Sequence, residues 1–565
     1  MRGPALDEPR NRGRTDHIHC SRSRAESADL LHLSIRTEPQ ACRCGVSETS
    51  THLRLTAIRS PFTMISASSI GRFCRRTAVT IPTLERLIDH ISSDGERTTV
   101  RFLLCLLLCA ATIRAADPPN IVLIFVDNFG NGDLACFGSQ LHRTPHVDQL
   151  AAEGMKFTSF YVSSGVCTPS RASLMTGCYP RRVNMHVSDR NSAVLQPVSP
   201  KGLHPGETTI AEVLKSAGYA TACIGKWHLG DQPAFLPTRQ GFDEFFGIPY
   251  SDDMTKDKRP EVWPELPLMQ NERVIEAPAE RTTLVQRCTE QAVSFIERHQ
   301  RQPFFLYVPH TMPGSTPHPF ASEAFQGRSQ NGKYGDAVEE LDWSTGQIMA
   351  ALQRLQLDRN TLFIWTSDNG AVRRNPPQGS CAPYRGFGYN TSEGAMRMPC
   401  VMRWPDRIPA GRTCDALCST LDLLPTLAGL ASAELPTQPI DGLDLSKLLT
   451  SGGLESPRDE PGMLFYMMDQ LQAVRSGPWK LYLPLAGRYS NLSRLREAAT
   501  AELYNVRKDV GELQNVAADY PDVVARLQQL AEQGRMVLGD EERAGSGQRP
   551  AGWVETPQPL TMSAP

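Results

Sequence analysis

The chain of 565 residues is 40% hydrophobic and 21% charged, with a formal net charge of −2, an ordinary balance for a globular protein long enough for two or more domains. No global excess of positive charge points to a nucleic-acid partner. The arginines that do cluster lie in the N-terminal stretch.

Residues 1–99, including "RNRGRTDHIHCSRSRAE" and "GRFCRRTAVTIPTLERLIDH", keep no strand or helix period and read as an extension outside the fold. "RFLLCLLLCAATIRAAD" follows, an arginine and an apolar run from Phe102 to Ile113 ahead of small residues, the layout of a secretory signal peptide over 100–116. A run of roughly 12 residues is short of the ~20 needed to span a bilayer. The expected location is therefore secreted or periplasmic, with no stable membrane span. A signal this far along the chain reads as a misassigned start with Val100 as the first residue, the alternative being a long N-terminal extension. Cleavage near Ala115 or Ala116 leaves Cys136, Cys167, Cys178, Cys223, Cys288, Cys381, Cys400, Cys414 and Cys418. Export permits eight of these nine to pair. Cys414 and Cys418 lack the second ligand pair of a zinc site.

Beyond the signal, strands and helices alternate. "NIVLIFV" (120–126) is a continuous apolar run, as in a strand covered on both faces. "FTSFYVSSGV" is strand-like, and "PSRASLMTG" opens a helix with Pro169 near its start. "TIAEVLKSAGYATACIGKW", "TEQAVSFIERHQRQPFFLYVP" and "DWSTGQIMAALQRLQLDRNTLFIWTSDNG" each read as helix then strand. This alternation predicts an α/β domain with a mostly parallel sheet. After "STLDLLPTLAGLA" the pattern changes to the short strands "MLFYMM", "LQAVRS" and "WKLYLP" and a helix at "YPDVVARLQQLAEQG", a smaller α+β subdomain. The expected divisions are 117–435, 436–545 and a disordered Gly/Pro-rich tail at 546–565.

Functional groups in such sheets gather at the carboxyl ends of strands. Asp127-Asn128 follow one strand and Asp368-Asn369 another, and four such oxygens suit a hard cation such as Ca²⁺. Taken alone, each pair also fits a turn or helix cap. Cys167 lies at a third strand end, where the free N–H groups of a helix start favour an anion.

"CTPSRASLMTG" resembles the signature of the type I sulfatases through Cys167, Pro169, Ser170, Arg171, Thr176 and Gly177. "PNIVLIFVDNFGNGDLACFG", "GYATACIGKWHLG", "TSDNG", "RMPCVMRWPDRIPAG", "AVRSGPWKLY" and "ELYNVRKDVGELQNVA" are similar to further family blocks in family order, from about residue 118 to 535. The resemblance implies an alkaline phosphatase-like fold and hydrolysis of sulfate monoesters of a carbohydrate, small molecule or polysaccharide. It implies that Cys167 is converted to formylglycine (3-oxoalanine) by a formylglycine-generating enzyme. The hydrated aldehyde then attacks sulfur, and its second hydroxyl collapses to expel sulfate. Asp127, Asn128, Asp368 and Asn369, with residue 167, would hold Ca²⁺. Arg171 would orient the diol, Lys226 bind sulfate, His228 bond the diol and Ser251 contact sulfate.

Three positions depart from the family pattern. Asn128 stands where aspartate is usual, removing a negative charge. Gly314 and Gly388 stand where a histidine and a lysine usually contact the sulfate. His310 and His318 are the candidate replacement acids, and Arg385 or the Arg373-Arg374 pair the candidate replacement charge. The alternatives are a phosphonate or phosphate monoester hydrolase on the same fold, or a catalytically weakened homologue that binds sulfated ligands.

Overall fold

β1 (Asn120–Val126) is apolar throughout because both of its faces are covered. Ile121, Leu123 and Phe125 enter one buried cluster, and Val122, Ile124 and Val126 enter another on the opposite face. The computed structural model describes residues 118–375, 377–451, 455–485 and 500–562. The extension at 1–99 and the signal segment at 100–116 lie outside the described residues.

After β1 come α1 (Pro145–Glu153), β2 (Met155–Tyr161), α2 (Cys167–Thr176), β3 (Lys201–Gly202), α3 (Ile210–Ser216) and β4 (Ala220–Lys226). β5 (Glu244–Ile248), β6 (Leu268–Gln270), β7 (Arg273–Glu276), α4 (Leu284–His299), β8 (Phe304–Val308), α5 (Gly332–Arg354) and β9 (Thr361–Ser367) follow. α6 (Glu393–Met396) leads into β10 (Arg397–Arg403), β11 (Arg412–Cys414), β12 (Cys418–Ser419), α7 (Leu423–Ala431) and α8 (Ser446–Ser451). The large sheet runs β11-β2-β10-β9-β1-β8-β4-β5-β6-β7, with β12 added to β2. Its centre, from β9 to β5, is parallel, and β10, β6 and β7 pair antiparallel at the flanks.

Local sequence explains the helices. α3 opens on Thr209, whose hydroxyl accepts from Glu212 N at 3.2 Å while Glu212 Oε2 accepts from Thr209 N at 2.7 Å, a reciprocal cap. α4 buries Leu284, Cys288, Phe295 and Ile296 along one stripe. Apolar residues of α1, α4 and α5 pack on the sheet face of Val122, while those of α2, α3, α7 and α8 pack on the face of Ile121. The result is three layers, helix on sheet on helix.

The C-terminal part builds its own antiparallel sheet from β13 (Met463–Met467), β14 (Gln470–Ser476), β15 (Trp479–Tyr482) and β16 (Glu502–Asn505), against which α9 (Pro521–Leu538) packs through Leu527, Ala531 and Leu538. The segment expected to be a disordered tail is instead a strap. β17 (Gly552–Trp553) pairs antiparallel with β3, and Arg549 donates to both carboxylate oxygens of Glu207 at 2.7 Å. Its Gly and Pro content suits an extended run held by pairing rather than by a core of its own.

Two glycines let the strand ends crowd together below the site. A Cβ on Gly247 would stand 1.8 Å from Gly225 O, and one on Gly225 would stand 2.0 Å from Pro309 O, at φ of +153° and +140°. Gly247→Ala is therefore expected to cost about 3 kcal/mol through strain and overlap, read as a lower urea midpoint with an unchanged m-value.

Candidate active site

β1, β2, β4, β5 and β9 all deliver chain to the same edge of the sheet. Asp127-Asn128 leave β1, Asp368-Asn369 leave β9, Lys226 ends β4, and Cys167 is the first residue of α2. No side chain caps α2, whose N-cap is Val166, so its first N–H groups remain for a ligand. Neighbouring strands fasten these ends by backbone bonds: Asp368 N donates to Val126 O at 3.0 Å, Lys226 N to Pro309 O at 2.7 Å, and Gly314 N to Asp127 O at 3.0 Å.

The side chains converge on Cys167. Its Sγ lies 3.4 Å from Asp127 Oδ1, 3.6 Å from Asn369 Oδ1 and 4.0 Å from Asn128 Oδ1. Asn369 Nδ2 donates to Asn128 Oδ1 at 2.5 Å, and Asn128 Nδ2 donates to Asp127 Oδ2 at 3.1 Å. Arg171 donates through Nε and Nη2 to Asp368 Oδ2 at 3.0 and 2.7 Å, and through Nη2 to Asp127 Oδ1 at 3.1 Å. Lys226 Nζ donates to Asp127 Oδ1 at 2.6 Å and to Ser251 Oγ at 3.4 Å. All of these groups are buried.

Their ionisation follows from burial and neighbours. Burial opposes charge on Asp127, but Lys226 and Arg171 outweigh it and hold the carboxyl far below its usual range. Burial and then the Asp127 charge push Asp368 up to about 7. The Cys167 thiol is pushed well above its ordinary value by burial and by both carboxylates. A thiol in that field is a poor thiolate nucleophile.

His228 reaches the cluster by an unusual backbone turn, at φ +64°. Its Nε2–H donates to Leu195 O at 3.0 Å, while Nδ1 is buried with no hydrogen-bond partner. Burial, and then Lys226, keep the ring neutral by lowering its pKa well below the ordinary value. Nδ1 is thus a bare acceptor, and Thr168 Oγ1 on α2 holds the His228 carbonyl at 3.1 Å.

The cluster therefore contains Asp127, Asn128, Cys167, Arg171, Lys226, His228, Ser251, Asp368 and Asn369. The other expected residues lie elsewhere. His310 is buried, with Nε2 at 3.1 Å from Ser344 Oγ on α5, and burial alone pushes it down to about 4. His318 is exposed. Arg385 donates to Glu512 Oε2 at 3.0 Å and stacks over Tyr482 and Tyr504, so its charge is committed to the C-terminal sheet. Arg373 is exposed, and Arg374 donates to Gly314 O at 2.5 Å and Thr316 O at 3.2 Å, fastening the Gly314 loop by its backbone.

Two residues here were not singled out from sequence. Asp252 is fully buried with neither carboxylate oxygen hydrogen-bonded, and a Cβ on Gly314 would stand 3.1 Å from its Oδ1. Tyr389 follows Gly388, and its N–H donates to Gly165 O at 2.9 Å, two residues before Cys167. Their only sequence signal is adjacency, to Ser251 and to Gly388.

Cations, a neutral histidine and a helix start around one buried side chain make a site for an anionic group, and its place at the strand ends of this sheet defines an alkaline phosphatase-like hydrolase of anionic esters. The family described as Sulfatase matches residues 119–433, and N-sulphoglucosamine sulphohydrolase, C-terminal, matches 387–536. Arylsulfatase A of Homo sapiens is 40% identical over 464 residues, covering 75% of this chain and 89% of that protein. N-acetylgalactosamine-6-sulfatase of Canis lupus familiaris is 39% identical over 398 residues, covering 67% and 75%. A Bacteroides thetaiotaomicron sulfatase, solved in work on glycosaminoglycan metabolism, superposes with a TM-score of 0.64 at 29% identity, covering 74% of this chain and 99% of that one. The chain belongs to the type I sulfatases, hydrolases of sulfate esters.

Because His310 lies outside the cluster, His310→Gln and His318→Ala are each expected to keep kcat/KM within about twofold of wild type. Unfolded histidine takes its proton near 6.5 and folded His310 near 4. Its share of stability is therefore full above 6.5 and lost as pH falls toward 4, at up to about 1.4 kcal/mol per unit. Urea titrations across that window should show a shallower loss in His310→Gln.

Proposed function

We propose that this sulfatase works through formylglycine made from Cys167 and a calcium ion held by Asp127, Asn128, Asp368 and Asn369. The observation that carries the reading is the convergence on residue 167 of buried oxygen donors with Arg171, Lys226 and His228. One ligand atom each from Asp127, Cys167 and Asp368 lies within 4.8 Å of the others, and the donors are hard oxygens apart from the sulfur that formylglycine would replace by oxygen. The residues fit the ion.

When bound, calcium supplies Lewis-acid polarisation of oxygen. Formylglycine supplies a nucleophilic hydroxyl and, through its second hydroxyl, a route for releasing sulfate. The chain's own residues orient and move protons around them. Arg171 is fixed by two carboxylates and points its charge at the start of α2. Lys226 presents a permanent cation between Asp127 and Ser251, suited to a sulfate oxygen. His228 Nδ1, neutral and unpartnered, can accept a proton from a hydroxyl on residue 167.

The relatives' names favour a sulfated saccharide as substrate, since one is an N-acetylgalactosamine-6-sulfatase and another comes from glycosaminoglycan metabolism. Among the described residues no helix is long and apolar enough to cross a membrane. Export, to the cell exterior or a periplasm, and maturation by a formylglycine-generating enzyme complete the reading. All nine cysteines that follow the signal segment are free, so none of the pairings that export permits is formed.

Mass spectrometry of the Cys167 peptide from a host with the generating enzyme should find the aldehyde, with aryl sulfate turnover lost on chelation and restored by calcium. An unmodified thiol with no turnover overturns the reading in favour of a ligand-binding homologue, and preferential turnover of phosphonate esters assigns the other hydrolase class.

Asn128 supplies an amide where a carboxylate would bring charge. Asn128→Asp is expected to tighten calcium binding by roughly tenfold in calorimetry. It should also lower the thermal midpoint without calcium, because a carboxylate replaces the Nδ2 donor now facing Asp127.

A further inference from the structure

Position 388 has no room for a side chain. A Cβ on Gly388 would stand 2.5 Å from Gly370 O and 3.1 Å from Asn369 Nδ2. Gly388 N donates to Ala371 O at 2.9 Å, which lays this loop directly against the chain leaving β9. A lysine could not leave the backbone here without displacing Asn369 or the Gly370 carbonyl.

The next residue occupies the wall instead. Tyr389 has φ +73°, a region an aromatic residue enters only where its surroundings hold it. Its N–H donates to Gly165 O at 2.9 Å, two residues ahead of Cys167. The side chain is half-buried, and its hydroxyl makes no hydrogen bond to any described residue. The charges acting on that phenol belong to Cys167, Asp127, Asp253 and Asp368. These groups come from α2, the end of β1, the segment after β5 and the end of β9. The backbone bonds of Gly388 and Tyr389 set this residue beside the nucleophile segment and the end of β9, with its phenol within electrostatic reach of the cluster. Burial first, and then these groups, keep the phenol protonated. It is a neutral donor with no acceptor among the described residues.

Building on the formylglycine sulfatase reading, we propose that Tyr389 Oη donates a hydrogen bond to a sulfate oxygen of the bound ester, taking the place of the cation that Gly388 cannot supply. A neutral hydroxyl stabilises an anion less than an ammonium does. The backbone bond to Gly165 O ties Tyr389 to the segment that carries the nucleophile.

The test compares mature wild type with Tyr389→Phe, which keeps the ring and removes only the donor. kcat/KM on an aryl sulfate should fall by roughly 10- to 100-fold, and inorganic sulfate should bind about tenfold more weakly in calorimetry. Formylglycine content, calcium content and thermal midpoint should match wild type, which a merely structural role would not allow alongside the kinetic loss. Tyr389→Gly, which relieves the strained φ and so protects folding, should show the same losses. Sulfate affinity and kcat/KM within about twofold of wild type in both variants overturn the proposal. A wild type that binds sulfate but turns over no ester sinks the hydrolytic mechanism while the affinity comparison still decides on Tyr389. No sulfate binding by wild type overturns both.

Discussion

The site depends on one buried arrangement of charge, in which Arg171 and Lys226 sit among Asp127 and Asp368 with no access to water. Ions in such a place are costly unless each is matched and hydrogen-bonded. Arg171 meets both carboxylates and the Lys226 carbonyl at 2.9 Å, and Lys226 meets Asp127. These contacts cross β1, β4, β9 and α2, so the ion cluster and the relative placement of the strand ends are one constraint. Each strand end is pinned by backbone bonds to its neighbours, and the side chains inherit that rigidity.

Two carboxylates and two cations balance within the cluster, and a third buried carboxyl stands beside it. Asp252, beside Gly314, is pushed up to about 7 by burial and then by Asp253 and Asp127, and Asp368 rises to the same level. One ligand atom each from Asp127, Cys167 and Asp368 lies within 4.8 Å of the others, a grouping that could hold a metal ion. Asn128 adds no further charge to that balance. It also ties the two acid–amide pairs together, donating to Asp127 and accepting from Asn369.

The sequence made the central sheet and the nucleophile segment legible because their signals are local. Apolar runs covered on both faces end in Asp-Asn pairs, and Pro169 marks a helix start two residues after Cys167. Side-chain direction beyond a strand end is not local. His310 turns into the helical layer toward Ser344, whose hydroxyl already receives a hydrogen bond from Thr289 at 2.6 Å. Arg385 is claimed by Glu512, 127 positions away. The C-terminal strap was misread because composition reports a missing core but not a distant pairing partner such as β3. Tyr389 was hidden for a related reason, since nothing in the local sequence announces the positive φ at that residue.

Three non-glycine residues with positive φ surround residue 167: Asn128 at 60°, His228 at 64° and Tyr389 at 73°. Asparagine adopts this region easily, so the strain falls mainly on His228 and Tyr389, at roughly 1–3 kcal/mol each. That is a considerable share of a typical net stability of about 5–15 kcal/mol. The strands bear it unequally. Asn128 and His228 come just past the ends of fully buried β1 (Val126) and β4 (Lys226), whose pairing in the sheet fixes where each turn must occur. Tyr389 lies on a loop held by the Gly388 and Tyr389 N–H bonds and by Gly394 N to Arg385 O at 2.7 Å. The strained turn with the least sheet behind it is therefore the one at Tyr389, whose conformation rests on a few loop hydrogen bonds rather than on the core.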